Sequence, residues 1–195
     1  MTRIFTTLAA VVTLSILASI GFGFWAMALD KFEFWKDIST THFALGLFTS
    51  IAILLVHSIV FIYFLGTGRL VKEIAIAYQM PDEPWPKLTR ELKRKAFPAA
   101  LFAMLIGIVT VAAGAGRQVA GWHFSIHLTL AFVTLAVNLW AFRVEYRCVS
   151  TNRGVMDEVF REIDRIRAQP TQRILNFLAN ACGTRIAEYG AVVPV

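Results

Sequence analysis

Four long stretches of the sequence contain no charged residue, and this limits the possible fold more than any other feature. The stretches cover residues 4–29, 38–68, 96–116 and 118–142. A helix that crosses a bilayer needs about 20 mostly apolar residues, and each stretch is long enough. The hydrophobic share of 57% also exceeds the roughly 45–50% of soluble domains. We predict an all-α, polytopic membrane protein, a four-transmembrane-helix bundle with spans at about residues 4–29, 41–66, 96–115 and 122–145.

Positive charge falls mainly on one side of this predicted topology. If the N-terminus is cytoplasmic, sixteen of the nineteen Lys and Arg residues lie on the cytoplasmic side, and Lys31, Lys36 and Arg117 lie outside. This is the positive-inside pattern of membrane proteins. We therefore expect an integral protein of a bacterial inner membrane, with both termini in the cytoplasm. Because topology explains the net charge of +6, the charge gives no reason to expect nucleic-acid binding.

The chain divides into a four-helix transmembrane domain, residues 1–150, and a cytoplasmic helical tail, residues 151–195. Apolar residues in the tail recur at helical spacing, which predicts amphipathic helices. We expect Pro170 to separate two of them. They can pack under the bundle, lie on the membrane surface or contact a partner. The apolar positions are Val155, Val159, Phe160, Ile163 and Ile166 in the first helix, and Ile174, Leu175, Leu178 and Ala181 in the second.

Small residues recur every four positions on the third predicted helix, at Ala99, Ala103 and Gly107. Such a stripe lets another helix approach closely. We interpret it as packing within the bundle, and a close-packed cofactor edge is the alternative. We find no internal sequence repeat.

All four histidines of the chain lie in the second and fourth uncharged stretches. They are His42 and His57 in the second, and His123 and His127 in the fourth. Ionisable side chains in membrane segments are costly and are candidates for functional sites. On one helix, the fifteen residues from His42 to His57 place the two imidazoles roughly on one side and about 22 Å apart along the axis.

This His-x14-His spacing on a transmembrane helix resembles a haem-bearing helix of the di-haem cytochrome b family. The resemblance implies haem b ligation and electron transfer with quinone. In that family a second helix carries a matching pair of histidines, and each haem lies between two of them. The fourth helix departs from this pattern, because fifteen residues beyond His123 the sequence has Asn138, whose amide is a poor haem ligand.

Two interpretations remain for His57 at the inner end of the bundle. His57 and Asn138 can hydrogen-bond across the bundle, which satisfies both side chains in lipid. Alternatively, Met104 on the third helix lies at a similar depth and can complete a His/Met haem site, since axial pairs of that type exist. We favour the hydrogen bond.

The outer end supplies three histidines. One haem b between His42 and either His123 or His127 is geometrically reasonable. Alternatively, all three are metal ligands for zinc or copper, with Glu33 or Asp37 approaching from the loop. Histidines near the water boundary also need no partner. The four uncharged stretches hold no acidic residue, which argues against a proton- or cation-coupled transporter.

We therefore expect a b-type cytochrome-like membrane electron-transfer subunit that holds haem between helices two and four. If it belongs to an enzyme, that enzyme is a membrane oxidoreductase. Its expected partners are the lipid bilayer, a membrane protein or a second copy of the chain, and quinone. The alternative functions are a non-catalytic anchor or assembly subunit of a larger complex, or an outer-face histidine metal site.

Overall fold

A computed structural model describes residues 2–28 and 35–190, except the side chains of residues 35–37, 118 and 170–190. This part of the chain is all-helical. The helices are α1 (Thr2–Ala28), α2 (Trp35–Ala77), α3 (Trp85–Ala120) and α4 (Phe124–Gly190). Each is long and apolar enough to cross a membrane. The predicted all-α class is confirmed, and the four helices have the length and composition of membrane-spanning helices.

The helices suit an apolar surrounding because they satisfy their own polar groups. Backbone groups that face lipid must bond within the segment, which a helix achieves. The hydroxyls of Thr13, Thr49 and Thr67 donate to the carbonyl four residues earlier, so they also find partners within their own helix. Large apolar side chains such as Phe48 and Ile62 point outward, as expected of a lipid-facing surface.

Two short connections define the ends of the bundle. At the α2–α3 end, the carboxylate of Asp82 accepts two hydrogen bonds from the Arg90 guanidinium, at 2.9 and 2.6 Å, and this contact lowers the pKa of Asp82. At the α3–α4 end, Gly121 adopts a left-handed φ of 70°, which suits glycine. The Trp122 N–H then donates to the Gly116 carbonyl and closes α3 with a tight turn. Helices α3 and α4 therefore form an antiparallel hairpin.

The small-residue stripe on α3 packs within the bundle. Ala99 and Ala103 are buried against Ala141 of α4, and Gly107 lies next to Ile53 of α2. The packing interpretation is thus confirmed. The main apolar core lies nearby and joins all four helices, with Phe5, Val12, Ile16, Val56, Val60, Phe64, Leu92, Ala96 and Phe142 among its buried members.

The tail continues α4 without a break. The helix passes through Pro170 and ends at Gly190, so the predicted separation into two helices is wrong. A proline removes one backbone hydrogen bond, and a helix of this length continues despite that loss. Val155, Val159 and Ile163 pack against Val71 of α2, so the protein's own helix covers this part of the first amphipathic face, while Phe160 is exposed. The apolar positions predicted beyond Pro170 lie outside the described side chains.

Replacing Ala103 by leucine should destabilise the bundle. The Ala103 side chain has no exposed surface, and overpacking a close contact costs about 1–3 kcal/mol. Unfolding in mixed detergent micelles measures this loss. Ala112 is exposed on the same helix, so Ala112→Leu is the matched control and should leave stability nearly unchanged. Equal effects of the two substitutions would contradict close packing at Ala103.

Candidate functional site

Two of the predicted histidines, His42 and His127, face each other near the α3–α4 end. Their ring centroids lie 6.1 Å apart, and the ring planes cross at 79°. Both line a cavity of about 620 Å³ between the four helices. The structure therefore brings together one histidine from α2 and one from α4, at the end of the bundle where the sequence analysis expected them.

Helix α1 fixes the orientation of His42. The ring Nδ1–H donates to the backbone carbonyl of Ser19 over 3.0 Å. One turn later, Gly23 lies directly against the ring, and a Cβ atom at Gly23 would come within 3.0 Å of His42 Cε1. The imidazole thus occupies the space that any other residue at position 23 would partly fill.

Helix α3 holds His127 in the same way. Its Nδ1–H donates to the carbonyl of Thr110 over 3.0 Å, and a Cβ atom at Gly114 would lie 3.0 Å from His127 Cε1. In each case the acceptor precedes the glycine by four residues. The two histidines are therefore presented by two equivalent helix pairs, α1–α2 and α3–α4.

These hydrogen bonds define which ring nitrogens carry protons. A backbone carbonyl only accepts, so Nδ1 of His42 and of His127 must be protonated. In the neutral imidazole, Nε2 then keeps a free lone pair, which is the form that binds metals. Both rings are therefore held in the tautomer of a metal ligand.

The equivalence of the two helix pairs extends one step further. A threonine follows each histidine by seven residues: Thr49 follows His42, and Thr134 follows His127. Thr49 bonds to the Ser15 hydroxyl of α1, and Thr134 bonds to the Thr110 hydroxyl of α3. The repeat is hard to see in the sequence because only these few positions correspond. The sequence signal for the two equivalent helix pairs is Ser/Thr-x3-Gly on α1 and α3, together with His-x6-Thr on α2 and α4.

His123 has a different role from His127. It is exposed and precedes the first residue of α4. Its Nδ1 lies 2.8 Å from the Ser125 hydroxyl and accepts from the Ser125 N–H. These contacts resemble helix capping, in which a side chain accepts from an unpaired N–H of the first turn. Of the two histidines, His127 lines the cavity and His123 does not.

The three-histidine metal site is not assembled in this structure. Among the residues described here, no three His, Cys, Asp or Glu side chains lie close enough to hold one metal ion. His42 and His127 meet without His123. Glu33 lies outside the described residues and Asp37 outside the described side chains, so their predicted contribution stays a prediction.

His57 lies deeper in the bundle and is fully buried. Its Nε2 is 3.1 Å from Asn138 Oδ1, which confirms the predicted hydrogen bond across the bundle. Its Nδ1 is 2.7 Å from Glu145 Oε1. Both ring nitrogens are therefore engaged, and His57 offers no free nitrogen to a haem iron. Met104 contacts the Ser58 hydroxyl instead, so the alternative His57/Met104 axial pair is not formed.

The residue that faces His57 is found by counting along α4 from His127. Fifteen residues beyond His127 is Phe142, just as His57 stands fifteen beyond His42. The Phe142 ring stacks on His57 with centroids 5.1 Å apart and planes 12° apart. An aromatic ring thus faces His57 at this position, whereas Asn138, found by counting from His123, bonds to His57 as predicted.

Glu145 is the site residue that the sequence analysis missed. It lies beyond Arg143, outside the uncharged stretches, yet its side chain has no exposed surface. It therefore places an acidic group inside the bundle, which the sequence analysis did not expect. Helical spacing was the available signal. Polar and apolar residues that recur on one side of α4 at intervals of one to four positions are all buried: Asn138, Ala141, Phe142, Glu145, Cys148 and Asn152.

No family model matches the chain, and no curated protein and no solved structure is significantly similar to it. The assignment of a function therefore depends on the geometry of these two sites.

Replacing Glu145 by alanine should lower the free energy of unfolding by about 3–5 kcal/mol, because it leaves a buried polar partner unsatisfied. Glu145→Gln keeps an oxygen that accepts from His57 and should cost less. Unfolding in mixed micelles compares the variants.

Glu73→Ala is the matched control for this prediction. Glu73 forms an exposed ion pair with Arg69, and exposed pairs contribute little. If Glu145→Ala were as mild as Glu73→Ala, the contact with His57 would not stabilise the fold.

Proposed function

We propose that this protein is a b-type cytochrome-like membrane electron-transfer subunit that holds one haem b between α2 and α4. The observation that carries the proposal is the pair His42 and His127, whose ring centroids lie 6.1 Å apart and whose Nδ1–H groups donate to backbone carbonyls, which leaves the Nε2 lone pairs for a metal. Haem supplies the chemistry of accepting and releasing a single electron. The chain supplies the two axial ligands, their orientation and an apolar cavity.

The spacing of the two rings fits shared ligation of one metal atom. Metal–imidazole bonds are about 2 Å long, so two imidazoles on opposite sides of a metal atom have ring centroids roughly 6 Å apart. The separation of His42 and His127 is 6.1 Å. The centroid separation thus matches the one that shared ligation of an iron atom would need.

The cavity also suits the remainder of the group. Its walls are largely apolar, with Ile20, Phe24, Leu47 and Val111 among the lining residues. Arg117 lines it as well, close enough to His42 for their charges to interact. A guanidinium recognises carboxylates well, so we assign Arg117 to the haem propionates.

The neighbouring helices tune the ligands. The Ser19 and Thr110 carbonyls accept from the histidine Nδ1–H groups, which fixes the tautomer and makes the Nε2 lone pairs more basic. Gly23 and Gly114 leave room for the rings. The electron donor that we propose is a quinol in the bilayer, and the acceptor is a membrane-protein partner within an oxidoreductase of a bacterial inner membrane. In this topology the α3–α4 end faces outward.

The anchor alternative needs surfaces that a partner can reach. The stripe at Ala99 and Ala103 packs on α4, and Val155, Val159 and Ile163 of the tail pack on α2, whereas Phe160 of the tail is exposed. A pair of oriented imidazoles favours a cofactor site over a passive anchor.

The absorption spectrum of the purified protein tests the proposal. We expect a reduced-minus-oxidised Soret and α band in the wild type, and loss of those bands in His42→Ala and His127→Ala, since each substitution removes one axial ligand. His123→Ala is the matched control and should retain the haem, because His123 caps α4.

A wild-type preparation without these bands after expression with haem supplied would overturn the proposal. Loss of haem in His123→Ala with retention in His127→Ala would reject the assignment of His127.

A methyl group at Gly23 should weaken haem binding by crowding His42. A strained contact of this kind costs about 1 kcal/mol, which corresponds to roughly fivefold weaker binding. Gly23→Ala is compared with Gly21→Ala, because a Cβ at Gly21 would meet nothing within 4 Å. Titration of the apoprotein with haemin measures both affinities. Equal affinities for the two variants would show that position 23 does not restrict the ligand.

A further inference from the structure

We propose that His57 and Glu145 form a redox-linked proton site, whose affinity for a proton rises when the cofactor held by His42 and His127 is reduced. This inference rests on the proposed function and adds proton uptake to it. The pair lies outside the cofactor site and has no role in ligation.

The geometry indicates that the pair holds a proton. The Nδ2 group of Asn138 donates to the Thr134 carbonyl over 2.8 Å, which orients the amide and turns Oδ1 toward His57. Because Oδ1 only accepts, Nε2 of His57 carries a proton. The second proton then lies between His57 Nδ1 and Glu145 Oε1, whose separation is 2.7 Å.

Both partners of the pair are fully buried, with no exposed side-chain surface. A net charge there is costly in a medium of low dielectric constant. The pair is neutral overall with this second proton and carries a negative charge without it. Glu145 Oε2 accepts no hydrogen bond from any residue that the structure describes, so the carboxylate is stabilised on one oxygen alone. Its proton affinity is therefore sensitive to other charges in the bundle.

The distance between the two sites allows such sensitivity. His57 stands fifteen residues beyond His42 on α2, or about 22 Å along the axis. With an effective dielectric constant of about 20, unit charges at that distance change each other's binding constants roughly three- to fourfold. Salt screens charges inside a protein less than charges on its surface.

Hydrogen bonds also connect the two sites into one rigid unit. His127 donates to the Thr110 carbonyl, the Thr110 and Thr134 hydroxyls bond to each other, and Asn138 donates to the Thr134 carbonyl and accepts from His57. Backbone carbonyls interrupt the chain, so it does not conduct protons. It fixes the distance between the two sites.

Buried polar groups continue from the pair toward the α2–α3 end. Asn152 lies two turns beyond Glu145 and donates to Tyr63 and Thr67 of α2. Its Oδ1 has no hydrogen-bond partner in the described part of the chain. Buried polar atoms of this kind are commonly satisfied by water. We therefore assign proton access to the α2–α3 end, opposite to the cofactor site.

Other titratable groups surround the pair and must be distinguished from it. Cys148 on α4 interacts electrostatically with Glu145 and with Lys95 of α3, and Tyr63 lies on α2. From α1, the described contact to this region is apolar, through Phe5 against Phe142.

A quinol that gave one electron to a haem held by His42 and His127 would become a semiquinone and release one proton to water. The pair would then bind a fraction of a proton on average from the aqueous phase at the α2–α3 end. Transfer of the electron to the partner would reverse this uptake. Since reduction adds negative charge, it raises the proton affinity of the pair. The midpoint potential should therefore be higher with the pair protonated, and should fall as pH rises through its titration.

Redox titration of the wild-type haem as a function of pH tests this inference. A three- to fourfold coupling corresponds to a total change of about 30 mV, at about 59 mV per tenfold change. A wild-type potential that stays constant with pH would overturn the inference without any variant.

Glu145→Gln should abolish the pH dependence, because glutamine keeps an acceptor for His57 but does not titrate. Glu73→Gln, an exposed substitution of the same type on α2, should retain it. Cys148→Ser should also retain it. Persistence of the wild-type slope in Glu145→Gln, or its loss in Cys148→Ser alone, would assign the titration to another group and overturn the inference.

Failure of this inference is distinguishable from failure of the proposed function. A protein without haem bands overturns both, whereas a haem protein whose potential does not respond to pH overturns this inference alone.

Discussion

Inside a membrane-spanning bundle, polar side chains depend on other atoms of the protein for their hydrogen bonds. The neighbouring helix supplies most of these atoms here. Ser19 and Thr110 provide carbonyls for two histidines, and Asn138 and Glu145 provide both partners for a third. Since each bond also fixes a ring orientation, the same requirement that stabilises the bundle determines which nitrogens remain free for chemistry.

That requirement separates the bundle into two halves with different chemistry. Near the α3–α4 end, His42 and His127 each donate from Nδ1 to a backbone carbonyl, and their Nε2 atoms keep a lone pair. Deeper in the bundle, both nitrogens of His57 are engaged, and Phe142 covers one face of its ring. Equivalent positions on α2 and α4 thus hold two histidines in one half, and a histidine with an aromatic ring in the other.

The helices were predictable because many residues indicate each of them. A span requires about 20 apolar residues, and the small-residue stripe at Ala99 and Ala103 favours close helix packing. The bond between His57 and Asn138 was also predictable, since two polar residues at equal depth in lipid have few other partners. The continuity of α4 through Pro170 was not predictable. Proline removes one backbone hydrogen bond, and the sequence does not show whether the other hydrogen bonds of a long helix outweigh that loss.

The site was harder to predict because its information is sparse and depends on register. His123 and His127 differ by one helical turn, and only the start of α4 at Phe124 shows that the first caps the helix while the second faces the cavity. Glu145 was not predicted as a buried residue because charged residues surround it in the sequence. The neighbouring Arg143 and Arg147 marked the segment as a membrane exit, whereas the helix carries Glu145 on its buried face.

His57 has different chemistry from His42 because Phe142, and not a second histidine, faces it. A histidine that binds a metal through Nε2 has only Nδ1 left for a hydrogen bond. With Phe142 in the facing position, His57 keeps both nitrogens, and a carboxylate buried beside it can share a proton. Without the imidazole, Glu145 would be an isolated buried carboxylate, and without Glu145 the buried ring would lack a partner for Nδ1. The two residues therefore require each other, and together they place an ionisable group at a fixed distance from the outer histidine pair, close enough for charge on one site to affect the other.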